Sequence, residues 1–430
     1  MIFGITALVQ VIDGETWRDM TFFGQLGGGI GTIFLLLSLL NVFYAFRIAG
    51  NLRQRWGEFQ REPLQEWQKS IIDRAAFYLG VPLGVILHEL SHALFILLFG
   101  GRIVDVGYAF YFGYVASDSS FTPPEWWLIS LAGTIGSLVY GVGMWLIFHR
   151  IPKSSYRYFA NRILRVQLTY SLIFYPIFTL FTSFGDWAVI YNFQATPLLS
   201  GSTLIVHLCI LALLWWADQR GLFEMPGFNS TAEQVQYERL MRQATASPHN
   251  SALQLQMVDF YRRSGMNHTA RHFTQNFLRD NPNSADGYLL QALLAAHNKR
   301  EVPKKARDSA LRALSLGLDK PLAVAQANLL AGQYSLGVGE VEEAINYFSQ
   351  GIGAAKSADQ SNIAAELYYL RAGAQRRIRR YEAARQDIEE AIKLARANSQ
   401  GQAMSRYEAE KAIIEDHARP TTASPPRNRF

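Results

Sequence analysis

Apolar residues come in long unbroken runs before residue 218 and at helical spacing after it, so the chain changes character near its middle. Runs at about 28–49, 76–99, 126–148, 169–192 and 200–216 each predict a transmembrane helix. At ~1.5 Å of rise per residue, such runs approach or exceed the thickness of a hydrocarbon core. Between the second and third runs the period changes. Val104, Val106, Tyr108, Phe110, Phe112 and Tyr114 alternate with Asp105, Gly107, Ala109, Tyr111, Gly113 and Val115. Period two with aromatic and β-branched residues predicts a strand segment over about 101–118, as a hairpin or an edge strand, which Pro123-Pro124 ends. The fold class read from this pattern is mostly α: a polytopic helical membrane domain over 1–217 with a short β segment, a linker over 218–231, and a soluble α-solenoid over 232–417.

The solenoid reading rests on a repeat. Pro248 and Pro282 lie 34 residues apart with Tyr261, Ala270 and Phe277 between them. The clearest unit is Ala365–Leu394, where Tyr368, Ala372, Tyr381, Ala384 and Ala391 stand at the packing positions of a helix-pair repeat. A looser unit carries Gly332, Ala344, Phe348 and Gly351, and another, with Tyr288, Ala306 and Ala313, holds an insertion near Lys299–Lys305. Three or four units looking like tetratricopeptide repeats are expected. Small residues at the crossing points let paired helices approach, and the concave face of such a stack binds a peptide or protein. Arg376, Arg377, Arg379 and Arg380 form a basic cluster to which no ligand is assigned. The segment 418–430 is rich in Pro and Arg toward its end and reads as a disordered tail.

Composition sharpens this picture. Hydrophobic residues make up 49% of the chain and charged residues 18%, which is too apolar for an ordinary soluble protein. The net charge of +6 does not point to nucleic acid, because the basic residues before 218 cluster between apolar runs. Segment 47–74 holds six of them and 149–165 five, against one in 100–125, none in 185–200 and one in 1–27. The positive-inside rule then places the N-terminus outside and the repeats in the cytoplasm, with five spans between. Met1–Ile12 is apolar but short, with no basic leader and no small-residue cleavage site, and is read as an interfacial segment. A single cysteine, Cys209, excludes an internal disulfide.

Chemistry enters at the centre of the second run. His88 and His92 are one helical turn apart, so both imidazoles leave the same face and can close on one metal ion. Glu89 follows the first histidine and can reach a water on that metal without ligating it, the H-E-x-x-H arrangement of zinc hydrolases. Chance supplies such a match roughly 0.01 times in a chain of this composition. A catalytic zinc takes three protein ligands. Besides Glu89, Asp186 is the carboxylate embedded in an apolar run before residue 217. His92 and Asp186 both lie about 16 residues, or ~24 Å, into runs expected to cross in the same direction, so their depths agree. A helix-end Asp186 facing the exterior, and His207 as the third ligand, are the alternatives.

His88-Glu89-Leu90-Ser91-His92-Ala93 in a span, the β-rich segment after it, the span beginning Leu131-Ala132-Gly133 and a later intramembrane Asp together resemble the site-2 protease class of intramembrane zinc metalloproteases. The resemblance covers roughly 75–192. It implies a Zn2+ held by His88, His92 and Asp186, with Glu89 as the catalytic acid/base. Here Thr134 follows Ala132-Gly133 where the family has Pro, Ser137 replaces a usual Asn, and Phe184-Gly185-Asp186-Trp187 replaces the usual Leu-Asp-Gly, so the chain reads as a divergent branch. The expected activity is cleavage of a membrane-embedded protein, with the repeats recruiting substrate or regulator. The rival is a catalytically silent membrane-anchored repeat scaffold with a vestigial metal site. Cysteines introduced into 100–125 and 149–165 are expected to react with an impermeant reagent from opposite sides of the membrane; reaction of both from one side would break the five-span topology.

Overall fold

The structure is a computed structural model and describes residues 27–182, 185–399 and 401–418, without the side chains of 27–35 and 180–182. The segment 1–12, read in the sequence as interfacial, and nearly all of the segment 418–430, read as a disordered tail, lie outside the described residues. The chain forms two compact units, residues 1–237 and 238–430. It is mostly helical, with one two-stranded sheet and a solenoid of helix pairs.

The first unit begins with α1 (Gly27–Gln54), a single turn α2 (Trp56–Phe59) and α3 (Glu66–Ala75), which passes through a π-helical turn at Ala76–Gly80 into α4 (Val81–Leu98). The hairpin β1 (Ile103–Tyr108) and β2 (Gly113–Ser117) follows, antiparallel, with Val106 opposite Val115 and Tyr108 opposite Gly113. The alternating stretch therefore folds back on itself, and Ala109–Phe112 forms its tip, where Phe110 takes a φ of 63°. Then come α5 (Pro123–His149), α6 (Ser154–Thr169), a second π-helical turn at Tyr170–Phe174, α7 (Tyr175–Thr182), α8 (Asp186–Ile190) and α9 (Pro197–Gln219). Three stretches among the described residues are long and apolar enough to cross a membrane: Glu66–Leu98, Pro123–His149 and Pro197–Gln219.

The fourth expected span is corrected. Residues 169–192 are not one helix: α6 begins inside the segment read as a basic loop, and the path breaks before Asp186. Gly185 has φ +111°, a left-handed conformation that ends any helical path at low cost only in glycine. Two of the five cations of 149–165 are also less free than a loop implies. Arg162 pairs with Asp73 at 2.7 Å and Arg165 with Asp218 at 2.8 Å.

Both π-helical turns sit just before a proline. Proline has no N–H, so Pro82 leaves the Tyr78 carbonyl without its α-helical donor, and Pro176 does the same to Leu172. Each carbonyl is satisfied from another element. The Tyr111 hydroxyl at the hairpin tip donates to Tyr78 O at 3.3 Å, and His207 Nε2 on α9 to Leu172 O at 2.7 Å. Such capping is what lets a broken helix survive in an apolar surrounding.

The second unit is built of pairs: α11 (Ser251–Arg263) with α12 (Asn267–Asp280), α13 (Ala285–Ala296) with α14 (Lys304–Leu316), α15 (Pro321–Gly337) with α16 (Val341–Ser357), and α17 (Ser361–Arg377) with α18 (Tyr381–Ala397). Helix α10 (Thr231–Ala246) precedes them and α19 (Gly401–Ala418) follows. The turns at 264–266, 338–340 and 378–380 are short, whereas 297–303 in the second pair is longer, where the insertion near Lys299–Lys305 is read in the sequence. The core is threaded by small residues. Gly332 makes room for Phe348, whose Cε1 would lie 2.5 Å from a Cβ at Gly332, and Ala344, Ala372, Ala384 and Ala391 are fully buried. Arg371 grips Asp387 through two 2.7 Å hydrogen bonds and donates to Ser349 at 2.8 Å, tying α16, α17 and α18 together. Three of the four arginines of the basic cluster are engaged within the repeats: Arg376 pairs with Glu410, Arg377 donates to Leu336 O and Arg380 pairs with Glu342. Truncating the fully buried Phe348 to Ala is expected to destabilise the repeats by about 3–5 kcal/mol, read as lost amide protection in α15–α17 by hydrogen exchange on the intact chain; unchanged protection would mean the ring is not a core residue.

Candidate metal centre

His88, Glu89 and His92 occupy the middle of α4, and α5 crosses that face at Gly133. A Cβ on Gly133 would stand 2.5 Å from His92 Cε1 and 2.7 Å from His88 Cε1, so this helix pair closes over the imidazoles only because no side chain is there. Gly136, one turn further along α5, makes the same kind of room for Ser91. Asp186 arrives from α8, whose start Gly185 turns toward them.

The three donors meet. Nε2 of His88 lies 2.9 Å from Asp186 Oδ2, Nε2 of His92 lies 3.1 Å from the same oxygen, and the two nitrogens are 3.0 Å apart. Among the described residues these three form a His/Cys/Asp/Glu group compact enough to hold a metal ion. The tautomer of His92 follows from its other nitrogen, which lies 2.7 Å from Ile129 O. A carbonyl only accepts, so Nδ1 carries a proton, and in the neutral ring Nε2 is the nitrogen left to ligate. A cation placed among them would take a lone pair from His92, His88 and Asp186 alike. Donors ~2.0–2.2 Å from a tetrahedral zinc are about 3.3–3.5 Å apart, so the observed triangle needs to open by only a few tenths of an ångström. A ligating His that gives its second N–H to a backbone carbonyl is also the usual outer-shell arrangement. The donor set fits zinc.

Glu89 is directed elsewhere. Its side chain runs under the first residue of β2, where a Cβ on Gly113 would stand 2.6 Å from Glu89 Cγ and 2.9 Å from Oε1. Glu89 and His88 face a cavity of about 210 Å³ lined also by Gly113, Tyr170, Tyr175 and Phe178. His207 belongs to no metal cluster. It donates to Leu172 O, its Nδ1 lies 2.5 Å from Tyr191 Oη, and its ring packs on Trp187 at 4.7 Å. Sequence reasoning missed Tyr175, whose hydroxyl touches Asp186, and the carbonyl of Ile129. No hydrophobic period marks either one. The only trace of the first was the glycine turn that folds α8 back onto α7.

No family model and no curated protein matches the chain. Among solved structures, a signal transduction ATPase with numerous domains and a tetratricopeptide repeat sensor, from Pyrococcus horikoshii, is similar at 14% identity with a TM-score of 0.34, covering 83% of this chain and 55% of that one. This chain thus spans about half the length of that protein, and a superposition so loose assigns neither fold nor activity. Gly133→Ala is expected to weaken zinc binding at least ~10-fold by driving a methyl into both imidazoles, whereas Gly143→Ala on the same helix, with nothing within 4 Å, leaves it unchanged. Zinc retained at wild-type affinity by the Gly133 variant would contradict this packing.

Proposed function

We propose that this chain is a zinc-dependent intramembrane endopeptidase of the site-2 protease class, in a divergent branch, carrying repeats that recruit substrate or regulator on the cytoplasmic side. The observation that carries the reading is the convergence of His88 Nε2, His92 Nε2 and Asp186 Oδ2 from helices 94 to 98 residues apart in sequence, beside a carboxylate left free of that cluster. A scaffold held together by polar residues alone has no use for Glu89 at the edge of the cavity.

His88, His92 and Asp186 would hold the ion. A zinc there supplies a Lewis acid and a water acidic enough to attack at neutral pH. Glu89 takes the proton of the attacking water on its carboxylate and delivers it to the leaving amine nitrogen as the peptide bond breaks. The apolar helices around the site keep bulk water from competing, which strengthens each of these electrostatic interactions. A substrate must be extended to expose its scissile carbonyl. Strand β2 begins at Gly113 directly against Glu89, so a chain paired with the hairpin by main-chain hydrogen bonds would run past that carboxylate.

Membrane embedding is part of the proposal and is supported by the three long apolar helices among the described residues. The many exposed apolar side chains on α9, among them Leu198, Ile205, Leu213 and Trp215, suit contact with lipid. The repeat solenoid has the architecture of a protein-interaction module, which agrees with a recruiting role and with a protein partner.

Purified Glu89→Gln protein is expected to keep its zinc and lose proteolysis by a factor of at least ~100, while Asp186→Ala loses the zinc as well. Full proteolysis in Glu89→Gln would remove Glu89 from the mechanism. Absence of metal from wild type and Asp186→Ala alike would favour the anchored scaffold.

A further inference from the structure

Asp186 is held by one hydroxyl in two ways. Tyr175 Oη accepts from the Asp186 backbone N–H at 3.1 Å and lies 3.1 Å from Oδ2, to which it donates. That oxygen is the one that faces both imidazoles. The Tyr175 ring also stands edge-on to His88, with centroids 5.7 Å apart. One side chain therefore touches two of the three donors and fixes both the backbone and the carboxylate rotamer of the third.

Asp186 needs such a partner because of where it sits. It opens α8, a helix of only five residues entered through Gly185 at φ +111°, so neither helix length nor a stiff backbone before it fixes the carboxylate. The N–H groups of a first helical turn have no intrahelical acceptor, and Gly185 offers no side chain to cap them. Tyr175 meets one of these donors from α7. Its own position depends on the π-helical turn before it, where Tyr175 N donates to Tyr170 O, one residue further back than an α-helix allows. One helical turn beyond, Thr179 offers a contrast: its hydroxyl is buried, near Gly185, and makes no hydrogen bond.

We infer that Tyr175 is a positioning residue for the metal centre, acting through Asp186 by fixing which carboxylate oxygen faces His88 and His92. The inference rests on the proposed zinc site and assigns Tyr175 no contact with substrate. Donation from Tyr175 to Oδ2 would still leave that oxygen a lone pair for the ion while holding the carboxylate rotamer that turns it toward the imidazoles. Without the hydroxyl the carboxylate is free to rotate, and affinity falls by the amount typical of a lost outer-shell partner.

The test uses the full chain purified in detergent or nanodiscs, with zinc and cobalt(II) as probes and a chromophoric chelator in competition. Tyr175→Phe is expected to bind one zinc per chain with a dissociation constant ~10–100-fold higher, and its cobalt(II) d–d bands should shift as the carboxylate changes its mode of binding. Thr179→Val should match wild type in both readouts. Adding Tyr175→Phe to Asp186→Asn should cause no further loss, because the two residues act in series. If wild type binds zinc and Tyr175→Phe matches it in affinity and spectrum, the inference fails while the metal site stands. If wild type binds neither metal, both fall together. A Tyr175→Phe loss of equal size in the Asp186→Asn background would mean that the tyrosine acts on the fold at large, and would also overturn the inference.

Discussion

Three donor atoms from distant stretches of the first unit, Nε2 of His88, Nε2 of His92 and Oδ2 of Asp186, are brought within 2.9 to 3.1 Å of one another. A carboxylate packed against two imidazoles in an apolar interior is costly unless a proton or a cation meets its charge. Under the proposed reading a zinc ion would meet that charge, and zinc binding in small structural sites is worth about 10–16 kcal/mol near neutral pH. Much of the surrounding sequence follows from this need. Gly133 gives the imidazoles room, the Ile129 carbonyl sets the tautomer of His92, and Gly185 turns Asp186 toward the pair. None of these residues ligates, yet the donor triangle requires each of them.

A second constraint is the pair of carbonyls released by Pro82 and Pro176. In water such a group finds a solvent molecule; in an apolar interior it must find a side chain. The hairpin tip supplies Tyr111 for one and α9 supplies His207 for the other. The consequence is mechanical. The hairpin whose second strand passes Glu89 is tied through Tyr111 to the helical path that carries Glu89, and Tyr170, in the second π-helical turn, donates to Tyr111 O at 2.6 Å. The hairpin is therefore a moored wall of the cavity, and His207 is committed to holding the break in the α6–α7 path.

These two constraints separate what the sequence made legible from what it did not. The i, i+4 histidines were readable because helical period alone puts them on one face. Asp186 stood out as a carboxylate within an apolar run, although the helix assumed for it does not exist: α7 stops, the chain turns at Gly185, and the aspartate meets the histidines from a short helix of its own. The solenoid was readable because alanines and glycines recur where helices cross, and even the irregular unit showed its longer turn at 297–303. Tyr175 and Ile129 were hidden for one reason. A single hydroxyl or backbone carbonyl that satisfies a partner on another helix leaves no periodic mark. The hairpin tip was hidden because alternation continues unbroken through Phe110, a residue that in fact turns the chain at positive φ.

The two units obtain their order by opposite means, and this bears on where function can reside. In the repeats, buried alanines and glycines carry the helix crossings, and ties such as Arg371–Asp387–Ser349 and Arg376–Glu410 join neighbouring helices, an architecture that suits the recognition of partners. In the first unit, nearly every element is fixed by a directional contact from elsewhere: hydroxyl to carbonyl, imidazole to carbonyl, hydroxyl to carboxylate. Directional contacts hold a geometry to tenths of an ångström but do not survive small shifts. A structure that needed only to anchor the repeats could have used continuous apolar helices, which cost nothing to satisfy. Two prolines, a glycine turn and a buried aspartate are a poor way to build an anchor. They suit a site in which the relative positions of a base, two imidazoles and a carboxylate have to be maintained.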